Sequence, residues 1–211
     1  MMQSALKLIH LTALDPEPKL ASEFERWYLG EYLAKVLERP GCRGVRVFEC
    51  IDAEPRYVTI YDLDETRVDF VQGFSAAPFH EATFDRRGIR NYHARTYREM
   101  HEAGDHLIPP KLINVVTVEV ESEHAEEFSR WYNDVHFPEI IACPGWRGGR
   151  RYECTDGEPR FLAIYDLDAA EVAFSSAEWK AAVGWDDHLQ HIRGFHGFRV
   201  YRLVYDSYAP Y

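Results

Sequence analysis

His136 is the side chain in this sequence best suited by type and spacing to do chemistry. It follows Asn133 by three residues and Tyr132 by four, in Arg130-Trp131-Tyr132-Asn133-Asp134-Val135-His136-Phe137-Pro138-Glu139. An imidazole titrates near neutrality, so it can act as a general acid or base, or donate to a substrate oxygen. On a helix, residues three and four apart share a face. That sets His136 one turn after Tyr132, at the edge of an apolar stripe. The plainer role for such a residue is a helix-end histidine bonded to a backbone carbonyl. A second group, His188, His191 and His196, follows Trp185-Asp186-Asp187. His188 and His191 are three apart and neutral imidazoles bind divalent metals, so these residues are the candidates for a metal or a haem. His80 and His93 are weaker counterparts in the first half.

The elements that must carry these residues come from an internal repeat. A shift of 104 aligns residues 24–64 with 128–168, and 20 of the 41 pairs are identical. Arg26-Trp27-Tyr28 matches Arg130-Trp131-Tyr132, Pro40-Gly41 matches Pro144-Gly145, and Ile60-Tyr61-Asp62-Leu63-Asp64 matches Ile164-Tyr165-Asp166-Leu167-Asp168. Each half reads β-α-β-β-α-β. Alternation over Leu6–Leu14 predicts a strand, and apolar spacing from Lys19 to Glu38 predicts an amphipathic helix that Pro40-Gly41 ends. Two strands follow, Arg43–Cys50 and Tyr57–Leu63. A broken helical region, Thr66–Arg87, is punctuated by Gly73 and Pro78, and a last strand covers Asn91–Glu99. The second half repeats the order: Leu112–Val120, helix Glu123–Ile141, strands Arg147–Cys154 and Phe161–Leu167, a helical region Ala169–Ile192 broken near Gly184, and strand Phe195–Tyr205. Asp168 with Glu171 three residues on has the pattern of a capping box. The predicted organisation is a first α+β repeat over 1–100, a linker over 101–110, and a second repeat over 111–211. The tail Asp206–Tyr211 is expected as a surface arm.

A duplicated chain separates architecture from chemistry. Trp27/Trp131 and Tyr28/Tyr132 occur in both halves and are expected mainly to pack the core. His136 has no twin, since Tyr32 stands at its place. Val45 becomes Gly149, Thr59 becomes Ala163 and His93 becomes Gly197, while Cys42 becomes Trp146 and Trp179 and Trp185 appear. Volume removed from a sheet and broad aromatics added around it suggest room for a flat apolar ligand in the second half.

The formal charge of -11 argues against nucleic acid and against anionic membrane surfaces. Cys42, Cys50, Cys143 and Cys154 lack Cys-x-x-Cys spacing, and Cys50 and Cys154 are expected as small core residues on strands. Met1–Leu14 is interrupted by Lys7 and His10, and no apolar run approaches the ~20 residues of a membrane span. A cytoplasmic protein with reduced thiols is the expectation. No Gly-x-Gly-x-x-Gly, phosphate-binding loop or Gly-x-Ser-x-Gly elbow is present, which disfavours nucleotide cofactors and serine hydrolysis.

The β-α-β-β-α-β order gives a four-stranded antiparallel sheet with its helices on one face. Two such halves can bury their remaining faces against each other. This arrangement resembles the dimeric α+β barrel (ferredoxin-like) superfamily, fused here as an intrachain α+β barrel. The aromatic helix ending in His136-Phe137-Pro138, the Pro-Gly turn and the strand ending Tyr-Asp-Leu-Asp are most similar to EthD-type members. The resemblance implies that the histidine of the His-x-Pro motif faces a pocket. It also implies a lyase, isomerase, cyclase or cofactor-free oxygenase acting on a small hydrophobic, aromatic or polyketide-like molecule. In that reading His136 handles a proton and Tyr132, Asn133 and Tyr165 orient substrate oxygens. Trp131, Trp146 and Trp185 supply apolar walls around Gly149, and no organic cofactor is needed. The alternatives are a haem or metal protein using His188, His191 and His196, which has precedent in the superfamily, and a non-catalytic binding or assembly module. A homodimer through exposed strand edges is a further expectation.

Overall fold

The computed structural model describes residues 7–50, 53–64, 88–105, 110–183 and 187–208, apart from the side chain of Phe198. The chain divides into two compact units, Met1–Arg98 with Leu203–Tyr211, and Glu99–Arg202. The expected helical region Thr66–Arg87, with Gly73, Pro78 and His80, lies outside the described residues, as does Gly184–Asp186 with Trp185.

In the first unit β1 (Leu8–Pro16) pairs antiparallel with β3 (Tyr57–Leu63) on one side and with β4 (Ile89–Gly104) on the other; β3 also pairs antiparallel with β2 (Cys42–Cys50). The order is β4-β1-β3-β2. The second unit repeats it as β8-β5-β7-β6, from β5 (Leu112–Val120), β6 (Trp146–Cys154), β7 (Phe161–Leu167) and β8 (Ile192–Asp206). Arg151 of β6 stands opposite Ala163 of β7, and Asn114 of β5 opposite Tyr165. This is the expected α+β arrangement of antiparallel sheet and helices.

The expected linker at 101–110 is displaced. Residues 101–104 continue β4, with His101 and Ala103 half-buried and Glu102 and Gly104 exposed. That period-2 alternation is a strand's. Asp105 extends it, donating its backbone N–H to Arg147 O at 3.2 Å and pairing with the Arg147 guanidinium at 2.7 Å. Residues 106–109 lie outside the described set. At the other end β8 runs to Asp206, and Tyr208 donates to Asp62 at 2.8 Å within the first unit.

The long helix of each unit departs from simple periodicity. α1 consists of α-helical Ala21–Trp27 and Leu33–Leu37 joined by a π-turn over Tyr28–Tyr32. α2 has the same build: Ala125–Trp131, π-turn Tyr132–His136, then Phe137–Ile141. The bonds Leu33 N to Tyr28 O and Phe137 N to Tyr132 O span five residues. The extra residue places Tyr132 and Phe137 both in the core, at 5% and 0% exposure, and leaves His136 half-buried at its edge. Pro138 does not cause the turn, because Ala34 occupies its position in α1.

α1 buries Phe24, Trp27, Tyr28, Leu33 and Val36 against Val45, Val47, Tyr57 and Tyr61, and α2 buries Phe128, Tyr132, Phe137 and Ile140 against Ala163, Tyr165 and Val118. The second helical region of the second unit is α3 (Ala170–Ser175) and α4 (Ala177–Ala182), parted at Ser176, whose Oγ accepts from Trp179 N at 3.1 Å. The capping box at Asp168 does not form: Ala169 precedes α3, and the Asp168 N–H donates to Gly145 O at 2.9 Å while its carboxylate pairs with Arg147 at 3.3 Å. The four thiols are free; Cys143 is buried, whereas Cys50 and Cys154 are only partly so. No described helix is long and apolar enough to cross a membrane.

Candidate active site in the second unit

Tyr132 is the hub. Its hydroxyl shares a hydrogen bond of 2.8 Å with that of Tyr165, on the β7 strand facing α2. His136 meets the Tyr132 ring edge-on at 4.8 Å and 75°. Trp131 carries His136 in near-parallel stacking at 4.9 Å, and His188 as well, also at 4.9 Å. Trp131, Tyr132 and His136 of α2, Tyr165 of β7 and His188 of the turn Asp187–His191 therefore form one continuous array. Burial raises the pKa of both Tyr132 and Tyr165, so they stay protonated and serve as hydrogen-bond donors rather than bases.

Arg151 completes the site. It is 1% exposed, with its guanidinium carbon 4.1 Å from the Tyr132 ring centroid and 5.4 Å from that of Phe161. A cation over an aromatic face is attracted to the ring quadrupole. Nη1 donates to Ser129 O at 3.1 Å, to Ser129 Oγ at 3.4 Å and to Asn133 Oδ1. These acceptors are all neutral, and among the described residues no carboxylate lies within ion-pair distance. Nη2 is buried and has no hydrogen-bond partner among the described residues. Taking a charge out of water costs several kcal/mol per ion unless it is paired, and burial accordingly lowers the Arg151 pKa. Arginine nevertheless remains a cation in proteins. Nη2 thus remains a buried donor with no acceptor among the described residues.

His101, from the β4 residues of this unit, packs edge-on against Phe137 at 5.4 Å, and its Nε2 is likewise buried without a partner among the described residues. Burial first, then the Arg151 charge, lowers its pKa. It is therefore the neutral imidazole at pH 7.

The first unit shows what changed. At the place of Arg151 it has Val47, for Asn133 Leu29, for Ser129 Glu25 and for Phe161 Tyr57. There Tyr57 donates to Glu25 at 2.6 Å and Arg56 pairs with the same carboxylate at 2.9 Å. Tyr28 bonds to Thr59 at 2.7 Å and to Tyr61 at 3.1 Å. A carboxylate at the helix surface in one unit is replaced by a buried cation in the other.

His136, Tyr132, Asn133, Trp131 and Tyr165 thus come together as the sequence predicts. Trp146 is a support: it is 7% exposed, meets Tyr165 edge-on at 5.1 Å and donates Nε1 to Ala173 O at 3.0 Å. Gly149 does not open space. A Cβ there would meet Ile164 O at 2.8 Å, Phe137 at 3.0 Å and Tyr165 at 3.0 Å. Phe137 replaces Leu33 and takes up the volume that Val45 fills in the first unit. At Gly197 a Cβ would meet the Phe195 ring at 2.4 Å. The expected hollowing at these glycines is a repacking. Nor do His188, His191 and His196 form one ligand set among the described residues. His188 lies flat on Trp131 at 6°, His191 stacks on His124 at 3.4 Å, and His196 sits exposed on β8 opposite Thr117. They do not converge on one shared metal; a haem, which needs a single axial histidine, does not require them to.

Arg151 and His101 were not predicted. Arg151 was legible: Gly149 and Arg151 share a strand face with Val45 and Val47 of the first unit, so parity places the guanidinium on the helix side. His101 had no such signal, since it falls where a linker was expected.

No family model and no curated protein matches the chain. Solved structures do. An anthrone oxidase-like protein superposes with a TM-score of 0.70 at 14% identity, over 97% of this chain and 93% of that one. A "Putative monooxygenase" from Fusobacterium nucleatum gives 0.65 at 9% identity, over 97% and 95%. A mutant chlorite dismutase from Candidatus Nitrospira defluvii gives 0.65 at 9%, over 96% and 93%. At these identities the likeness is one of fold. The chain shares with all three an antiparallel-sheet α+β architecture of the ferredoxin-like kind.

Proposed function

We propose that the protein is an enzyme acting on a small aromatic molecule in the second unit, in the manner of an EthD-like α+β barrel oxygenase without an organic cofactor. The observation that carries this reading is the set His136, Tyr132, Asn133 and Arg151 on and against one turn of α2. Of its members only Tyr132 has an identical twin in the first unit. The names of the similar structures, anthrone oxidase-like and monooxygenase, favour the oxygenase branch over lyase, isomerase or cyclase chemistry.

The chemistry available is proton removal with charge capture. His136 takes a proton from an activated carbon or phenol of the substrate, and the electron pair moves onto a ring oxygen. Arg151 Nη2 donates to that oxygen as charge builds on it, in a site from which water is excluded. Asn133 and Ser129 hold the guanidinium, and Tyr132 presents a flat face beside it. The resulting electron-rich carbanion can reduce dioxygen directly. For a methylene flanked by aromatic rings the balance is one CH2 and one O2 giving one C=O and one H2O, with all four electrons supplied by the substrate carbon. The neutral His101 can accept a hydrogen bond from a substrate hydroxyl.

Aerobic incubation with hydroxylated tricyclic aromatics, followed by oxygen uptake and product absorbance, tests the reading. His136→Ala is expected to lower turnover by about 10²-fold or more while melting stays near wild type. Equal turnover in that variant would exclude His136 as the acid/base. The close packing at Gly149 and Gly197 supports a second reading, a non-catalytic binding or assembly module in which this part of the second unit is filled. The expected setting is cytoplasmic.

A further inference from the structure

We infer a divalent-metal site at Glu121, His124 and His191, at the opposite end of α2 from His136. Glu121 follows β5, His124 ends the 3-10 turn Ser122–His124 that opens α2, and His191 ends the turn Asp187–His191 just before β8. The two turns are tied by the Glu121 N–H donating to His191 O at 3.1 Å. Their imidazoles stack at 3.4 Å with 14° between planes. Oε2 of Glu121 faces both, 3.5 Å from His191 Nδ1 and 3.9 Å from His124 Nε2. Arg193 pairs with the other oxygen, Oε1, at 3.7 Å. One donor atom from each of the three residues lies within 4.8 Å of the others.

Those separations suit a metal ion. Ligands at 2.0–2.1 Å in tetrahedral array lie about 3.3 Å apart, so the two distances to Glu121 Oε2 need shorten by only a few tenths of an ångström, with the imidazoles turning from their stack to meet the ion. Two neutral imidazoles and one carboxylate select zinc, nickel or copper over magnesium or calcium. All three side chains are roughly a third exposed, which leaves a coordination position for water.

The first unit builds the same corner with the carboxylate, Glu17, but without the two imidazoles. There Glu17 N donates to Gly88 O at 2.7 Å, the counterpart of the Glu121–His191 tie. Leu20 stands at the place of His124 and Gly88 at that of His191, and a Cβ on Gly88 would meet Leu20 at 2.8 Å. Beside a glutamate common to both corners, an apolar side chain over a glycine in the first unit stands where two stacked imidazoles stand in the second. The turn that carries His191 also carries His188, whose ring lies on Trp131. A metal at this corner would anchor that turn.

Chelator-treated protein titrated with zinc or nickel chloride, followed by calorimetry and metal analysis, tests the site independently of any turnover. Wild type is expected to bind one equivalent and to melt at a higher temperature when loaded, as a ligand of the folded state must. His124→Leu copies the residue of the first unit, so it should fold, and it is expected to weaken binding at least 10-fold. Glu121→Gln should weaken binding while keeping the backbone tie. His136→Ala should bind normally. Absence of saturable binding in wild type, or equal affinity in wild type and His124→Leu, would overturn the site.

Discussion

The guanidinium of Arg151 lies 4.1 Å above the ring of Tyr132, buried, with its Nη1 on helix α2 and its Nη2 unpaired among the described residues. A cation in this setting is poorly explained by stability alone. Replacing a buried charge with an apolar side chain of similar volume is often neutral or stabilising, by about 1–4 kcal/mol. Arg151→Met is therefore expected to melt at or above the wild-type temperature while losing 10-fold or more in affinity for phenolic or carboxylated aromatics. Lower stability with unchanged affinity would make the guanidinium a packing element.

The Tyr132–Tyr165 hydroxyl pair invites a double-mutant cycle. Each single Tyr→Phe change strands a buried hydroxyl and should cost about 1–3 kcal/mol, whereas the double change removes both partners and should cost little more than either. Urea midpoints of the four proteins measure the coupling. Strict additivity would mean that the two hydroxyls do not depend on each other.

Gly149 and Phe137 have exchanged volume with Val45 and Leu33. Gly149→Val forces a side chain against Ile164 O, Phe137 and Tyr165, an overpacking expected to cost about 1–3 kcal/mol. Adding Phe137→Leu restores the combination used in the first unit and should recover most of that loss. Urea denaturation of the single and double variants checks it; a double variant no better than Gly149→Val would refute the exchange.

Acid should act through His101. Its pKa is lowered in the folded protein by burial and by Arg151, so the unfolded chain binds the proton more readily. The stability that neutral His101 contributes is fully present above its ordinary value near 6.5 and is lost as pH falls below it toward the lowered folded value. Between pH 7 and 5 the urea midpoint of wild type should drop more steeply than that of His101→Gln. Parallel profiles would remove His101 as the titrating group.

Much of this was readable before the fold. The repeat disclosed the element order and the His136–Tyr132–Asn133 grouping, because identity between halves marks packing and difference marks chemistry. The π-turns were not readable: Tyr28–Tyr32 and Tyr132–His136 differ in sequence yet take the same bond shift, so packing against the sheet decides it. The glycines misled for a related reason. Loss of a side chain predicts space only when no neighbour grows to match, and Phe137 lies twelve residues from Gly149 in sequence. The corner formed by His124 and His191 depends on a contact between residues 67 apart.

The π-turn, present in both helices, also orders events in time. A feature shared by both copies was already in the single ancestral unit, whereas Arg151, Asn133 and His136 distinguish one copy from the other. The bend in the helix was therefore an inheritance, and the candidate chemistry is carried by the residues at which the two copies have since come to differ. The other copy has Val47, Leu29 and Tyr32 at those places and bends its helix in the same way without them.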